Sequence, residues 1–154
     1  MGKKSRDKGA RFELEVAKLF SNAYDLEFRR TPLSGGWAKD ADVAQGDIVC
    51  LDDDEFAYCI ECKNQEGWKF ESLFTSSHSW FDAWWNQAVD ECPDDKDPLL
   101  VFSKNYTPIF VAMSSDIGFG IQTKAFASLV WNGDRIVITD LESFLDWDSE
   151  YISG

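Results

Sequence analysis

Phe56-Ala57-Tyr58-Cys59-Ile60-Glu61-Cys62-Lys63 (FAYCIECK) reads as a β-strand that ends in two opposite charges. Side chains of a strand alternate between its faces, so Glu61 and Lys63 emerge side by side while Ile60 and Cys62 share the other face. A carboxylate and an ammonium at the end of an apolar strand are costly to hold there unless they serve a purpose. Just upstream, Gly46-Asp47 leads into a second apolar run, Ile48-Val49-Cys50-Leu51, and Asp52-Asp53-Asp54-Glu55 joins the two runs. That acidic run is a solvated hairpin turn; a calcium loop would want alternating ligands and a Gly in a longer frame. The hairpin brings Asp47 to one spot with Glu61 and Lys63.

Outward from this hairpin, a helix is expected from about Asp7 to Asn22, with Phe12, Val16, Leu19, Phe20 and Ala23 at helical spacing. Glu13 falls between Ala17 and Phe20 at the edge of the apolar stripe, whereas Glu15 points almost the opposite way, toward Arg11 and Lys18. Glu13 is therefore aimed inward, either as a satisfied structural carboxylate or as a fourth member of the site. Residues 1–6 read as a polar, basic, flexible arm. Tyr24–Arg30 should form a strand that runs into Thr31-Pro32-Leu33-Ser34-Gly35-Gly36-Trp37, where Pro and two Gly force a loop. That loop, with Arg29 and Arg30, can present N–H groups, the Ser34 hydroxyl and guanidinium groups to phosphate, or it is a plain connection with surface arginines.

Beyond Lys63, a polar loop containing Gln65 precedes a short helical piece near Glu71–Phe74. Ser79-Trp80-Phe81-Asp82 resembles a capping box, and the helix it opens should stop before Pro93. Trp80, Phe81, Trp84, Trp85, Ala88 and Cys92 form a heavy apolar stripe; base stacking is possible for tryptophans, but this spacing favours core packing. Gln87 on this helix and Gln65 in the loop are polar side chains placed to support the site. Strands are expected at Leu99–Ser103 and Ile109–Met113. A C-terminal extension over residues 114–154 carries a hairpin, Ala127–Trp131 and Arg135–Thr139 about the tight turn Asn132-Gly133-Asp134, and a short helix at Asp140–Trp147.

The 154 residues suit one α/β domain. No apolar run reaches membrane-spanning length and no signal-peptide h-region opens the chain, so a cytoplasmic protein is expected, in a host's cytoplasm if phage-encoded. Cys59 and Cys62 have C-x-x-C spacing, but on a strand they face opposite ways; with Cys50 and Cys92 they read as reduced thiols rather than a zinc site. The net charge of −13 argues against a uniformly basic nucleic-acid binder. The charge is uneven, however: residues 1–70 hold 11 Lys/Arg against 14 acids, and residues 71–154 hold 4 against 14. Lys3, Lys4, Arg6, Lys8 and Arg11 crowd the N-terminus, leaving room for a DNA-facing side.

Glu13, Asp47 and Glu61 are hard oxygen donors that suit Mg²⁺, with Mn²⁺ as a substitute. Without a cation they would raise one another's pKa. Such a metal polarises a phosphodiester and supplies hydroxide, while Lys63 orients the water and offsets charge on phosphorus. The single histidine, His78, leaves no histidine pair, and neither a G-x-S-x-G elbow nor a P-loop is present.

Gly46-Asp47, thirteen residues, then Glu61-Cys62-Lys63 resembles the PD-(D/E)xK nuclease superfamily, with Gly in the Pro place. Lys8-Gly9-Ala10-Arg11-Phe12-Glu13-Leu14-Glu15, followed by an arginine and a Ser-Gly loop, is similar to archaeal Holliday junction resolvases and their phage relatives, across roughly residues 6–113. The resemblance implies a restriction-endonuclease-like fold, a central mixed sheet flanked by helices. It implies metal binding by Glu13, Asp47 and Glu61, catalysis by Lys63, a contribution from the loop at Ser34, and a homodimer that nicks four-way DNA junctions. Lys8, Arg11, Arg29, Arg30 and Ser34 are then the expected DNA contacts. Two alternatives stay open: a related nuclease acting on flaps, ends or duplex, and a non-enzymatic acidic DNA mimic that inhibits a basic partner.

Overall fold

The computed structural model describes residues 3–31, 46–75, 79–118 and 127–153. Helix α1 spans Lys3–Tyr24. Its inward stripe of Phe12, Val16, Ala17 and Phe20 is buried, in keeping with the 3.6-residue period. The helix begins four residues earlier than the sequence indicated, so Lys3–Arg6 are its first turn rather than an arm; lysine and arginine are good helix formers and nothing there breaks the pattern. It also runs through Tyr24 and stops where Asp25 takes a left-handed conformation (φ 55°), which shortens the following strand β1 to Phe28–Arg30.

The other elements are β2 (Ile48–Cys50), β3 (Tyr58–Asn64), a 3₁₀ turn (Phe70–Phe74), α2 (Ser79–Asp90), β4 (Asp97–Ser103), β5 (Phe110–Ser114), a single helical turn α3 (Ser115–Gly118), β6 (Ala127–Trp131), β7 (Asp134–Asp140) and α4 (Leu141–Ser153). Among the described residues the strands form one sheet in the order β1-β2-β3-β4-β5-β7-β6. β3 and β4 are parallel, in register from Tyr58↔Asp97 to Asn64↔Ser103, and the remaining pairs are antiparallel. A parallel pair needs a crossover, and the 3₁₀ turn with α2 supplies it. The result is the expected α/β class, a mixed sheet flanked by helices.

Two apolar layers fix which way the site residues face. On one side, α1 and α4 pack Phe12, Val16, Phe20, Leu141 and Phe144 against Ile60, Cys62, Leu99 and Val101. On the other, α2 and the 3₁₀ turn pack Phe81, Trp84, Trp85 and Leu73 against Leu100 and Phe102. The tryptophan stripe is thus core. Glu61 is in register with Leu100 and Lys63 with Phe102, so both lie on the α2 side, opposite Ile60 and Cys62. The alternation in FAYCIECK had required this division.

The C-terminal segment is not an appendage. β7 hydrogen-bonds to β5 over Phe110↔Asp140 to Ser114↔Ile136, and β6 closes the far edge. Ile136, Val137 and Ile138 are buried, and α4 runs past Trp147 to Ser153. Among the described residues, no helix is long and apolar enough to cross a membrane.

Candidate active site

Gly46 sets the approach to β3. Its φ of +77° suits glycine, and a Cβ there would meet the Ile60 carbonyl oxygen at 2.5 Å, which no rearrangement of a side chain can relieve. The next residue, Asp47, donates its N–H to Ile60 O at 2.8 Å and accepts the Thr31 N–H on its own carbonyl at 2.8 Å. Its carboxylate Oδ2 accepts the Cys62 N–H at 2.7 Å, an intraprotein bond that pins it beside the Glu61–Lys63 strand end. Burial raises the Asp47 carboxyl above the ordinary carboxylate range, against the lowering effect of that N–H.

Glu61 is 3 % exposed. Its Oε1 lies 3.9 Å from Lys63 Nζ, and its Oε2 is buried with no hydrogen-bond partner among the described residues. Burial first, then the neighbouring carboxyls of Glu91 and Asp47, push its pKa up to about 10. Lys63 donates to Gln87 Oε1 at 2.7 Å, and Gln87 Nε2 donates to Glu91 Oε1 at 3.1 Å. The second bond fixes the sense of the amide: with its nitrogen on a carboxylate, Gln87 turns its oxygen to the lysine. Glu91, just past the end of α2, keeps a helical bond from its N–H to Gln87 O at 3.0 Å.

Glu13 comes to the same end of the sheet from α1. Its Oε1 pairs with Arg30 Nε at 2.9 Å. Half-burial raises its carboxyl, the Arg30 hydrogen bond opposes that, and the charges of Asp47 and Lys63 both reach it. Glu13 is thus electrostatically part of the cluster, but it is held by Arg30 rather than aimed with Asp47 and Glu61. Among the described residues, no three acidic, cysteine or histidine side chains already converge as a metal-binding group. The donor set still fits a hard divalent cation: Asp47, Glu61 and Glu91 bring carboxyl groups near one another, and Glu61 Oε2 is a buried oxygen without a hydrogen-bond partner among the described residues.

The other expected site residues fare unevenly. Gln87 is drawn into the site, whereas Gln65 is exposed beyond the end of β3. Arg30 is engaged by Glu13, Arg29 by Glu27 at 2.7 Å, and Lys8 by Glu66 at 2.8 Å, while Arg11 is exposed on α1. Ser34 and His78 lie outside the described residues. Cys50, Cys59, Cys62 and Cys92 are free thiols, the first three buried. Glu91 was missed by sequence reading. The available signal was its position four residues after Gln87, which places both on one helical face.

Three likenesses accompany this geometry. A family model described as "Phage putative PDDEXK endonuclease" matches residues 4–153. Protein D14 of Escherichia phage T5 is 30% identical over 115 residues, covering 72% of this chain and 71% of D14. The solved structure of Hjc, a Holliday junction resolvase from the archaeal hyperthermophile Archaeoglobus fulgidus, is 10% identical with a TM-score of 0.39, covering 89% of this chain and 87% of that one. So loose a structural likeness decides nothing about substrate here. The family match takes in β6, β7 and α4 as well as the site, beyond the 6–113 of the initial resemblance. From α1 to α4, the chain belongs to this phage PDDEXK endonuclease family.

Proposed function

We propose that the protein is a divalent-metal-dependent DNA endonuclease that nicks four-way junctions as a homodimer in the cytoplasm of its host. The observation that carries the nuclease reading is the pairing of Glu61 and Lys63 at the end of β3 with Asp47 tied to the Cys62 N–H beside them. Asp47 and Glu61 are the residues that would hold Mg²⁺ or Mn²⁺, with Glu91 and Glu13 nearest to complete the set. When bound, the cation supplies Lewis-acid activation of the phosphodiester and a hydroxide at neutral pH.

The chain's own residues have separable tasks. Lys63, held between Glu61 Oε1 and Gln87 Oε1, presents its ammonium to the attacking water and to charge gathering on the phosphate oxygens. Gln87 and Glu91 keep that ammonium in place. Arg11, Arg29 and the loop at Ser34 are the proposed DNA contacts, with Arg30 also placing Glu13. The mimic alternative is disfavoured by burial: a DNA mimic displays its carboxylates, whereas Glu61 is enclosed and Asp47 spends its charge on a backbone N–H.

The test is cleavage of labelled four-way junction, flap and linear duplex with Mg²⁺, with Mn²⁺ and with EDTA. Paired symmetrical nicks on the junction alone support the resolvase; preferential cutting of flaps or duplex replaces it with another nuclease. Asp47→Asn, Glu61→Gln and Lys63→Ala should abolish cutting in folded protein, and Glu13→Gln should impair it. If no DNA form is cut with either metal, the enzymatic reading fails.

A further inference from the structure

Three residues beyond Lys63, the loop after β3 carries Glu66. Its Oε2 accepts two hydrogen bonds, from Lys8 Nζ at 2.8 Å and from the Asn105 backbone N–H at 2.7 Å. The donors come from α1 and from the turn after β4. Because Asn64 is in register with Ser103, that turn stands at the same sheet end as Lys63. Lys104 is fixed nearby, donating to the Trp68 carbonyl at 2.7 Å with its ammonium 4.6 Å from the Trp68 ring centroid. The Lys8 and Asn105 hydrogen bonds, with the Lys8 and Lys104 charges behind them, hold the Glu66 carboxyl below its ordinary range. Glu66 itself is half exposed, and a pair this open contributes little to folding. The fold has no strong need of it.

An ammonium and a backbone N–H converging on one anionic oxygen are also what a phosphodiester's non-bridging oxygen requires. We propose that Lys8, the Asn105 N–H and Lys104 form a phosphodiester-binding subsite beside Lys63, which the Glu66 carboxylate occupies until a DNA strand displaces it. The proposal rests on the DNA-nuclease reading and adds to it where the strand runs and what restrains it. In a chain of net charge −13, an internal competitor sets a threshold. A lone phosphate contact does not displace a tethered carboxylate, while a strand that also engages neighbouring contacts does. The turn that supplies the N–H also exposes Tyr106 completely, at a left-handed φ of 67° uncommon for tyrosine. A ring in that position can stack on a base of the strand whose phosphate the subsite holds.

Fluorescence anisotropy with labelled four-way junction and duplex, in EDTA so that the DNA stays uncut, tests the idea. Glu66→Gln should tighten binding by about threefold to tenfold. Lys8→Ala should weaken it, and in a Lys8→Ala background Glu66→Gln should bring little gain. Unchanged or weaker binding by Glu66→Gln overturns the proposal. So does a gain of equal size without Lys8, which would be only the general effect of removing a negative charge. Binding does not depend on cleavage, so protein that shows this pattern yet cuts no DNA keeps the subsite and loses the nuclease reading. Protein that binds no DNA loses both.

Discussion

At the scale of single residues, Glu61 illustrates how the site stores its reactivity. Burial, with the Glu91 and Asp47 carboxyls adding to it, pushes its pKa up to about 10, far above the ordinary glutamate value of 4.5. Between those two values the folded protein binds a proton that the unfolded chain releases. This favourable contribution is complete at low pH, and stability falls as pH rises from about 4.5 toward 10. Asp47 and Glu13 are raised too and act in the same sense. Thermal unfolding in EDTA should therefore show a lower Tm near about pH 9 than near about pH 5.5. Glu61→Gln, isosteric with the protonated acid, should flatten that dependence and keep the Tm while cutting kcat by more than about a hundredfold. Mn²⁺ should raise the wild-type Tm more at the higher pH, where the carboxyls ionise more readily. Gln87 acts one bond further out: Gln87→Ala should lower kcat about tenfold with KM nearly constant, since it holds Lys63 rather than DNA. Steady-state cleavage kinetics check the split.

At the scale of elements, the junction of α1, β3 and α4 is held by one buried carboxylate. Asp148, 3 % exposed, accepts the hydroxyls of Tyr24 and of Tyr58, the latter at 2.7 Å. Burial, and then the hydrogen bond to Asp148, push both tyrosine pKa values well up, so each phenol stays a donor through the physiological range. Asp148→Ala would leave two partly buried hydroxyls without their acceptor and should cost about 1–3 kcal/mol, read from chemical denaturation. Asp148→Asn, which keeps one acceptor oxygen, should cost less. The sequence ended this helix at Trp147, one residue short of Asp148, because hydrophobic periodicity fades near a helix end and charge alone does not mark its continuation.

At the scale of the whole molecule, the sheet is completed from the C-terminus. β5 contributes Val111, Ala112 and Met113, each 0 % exposed, and its outer neighbour is β7. A chain ending at residue 126 would lose β6, β7 and α4, opening both apolar layers and leaving β5 as an unpaired edge. It should lack a cooperative unfolding transition by circular dichroism, where a dispensable extension would have left one intact. The distribution of charge is also a property of the whole: Lys8, Lys63 and Lys104 come from distant parts of an acidic chain to one end of the β3–β4 pair.

The sequence by itself determined what is local. Period-two alternation put Glu61 and Lys63 on one face of β3, helical spacing turned Glu13 inward, and the Asn132-Gly133-Asp134 turn located the last hairpin. These follow from backbone geometry over a few residues. Only the tertiary structure decided which neighbours the faces meet. Lys63 meets Gln87 across 24 residues, Lys8 meets Glu66 across 58, and Tyr24 meets Asp148 across 124. The insertion of β7 between β5 and β6 is of the same kind. A strand's pattern specifies which side it buries, but its partner is chosen by packing across the sheet and by the path of the connections, and no local period records either.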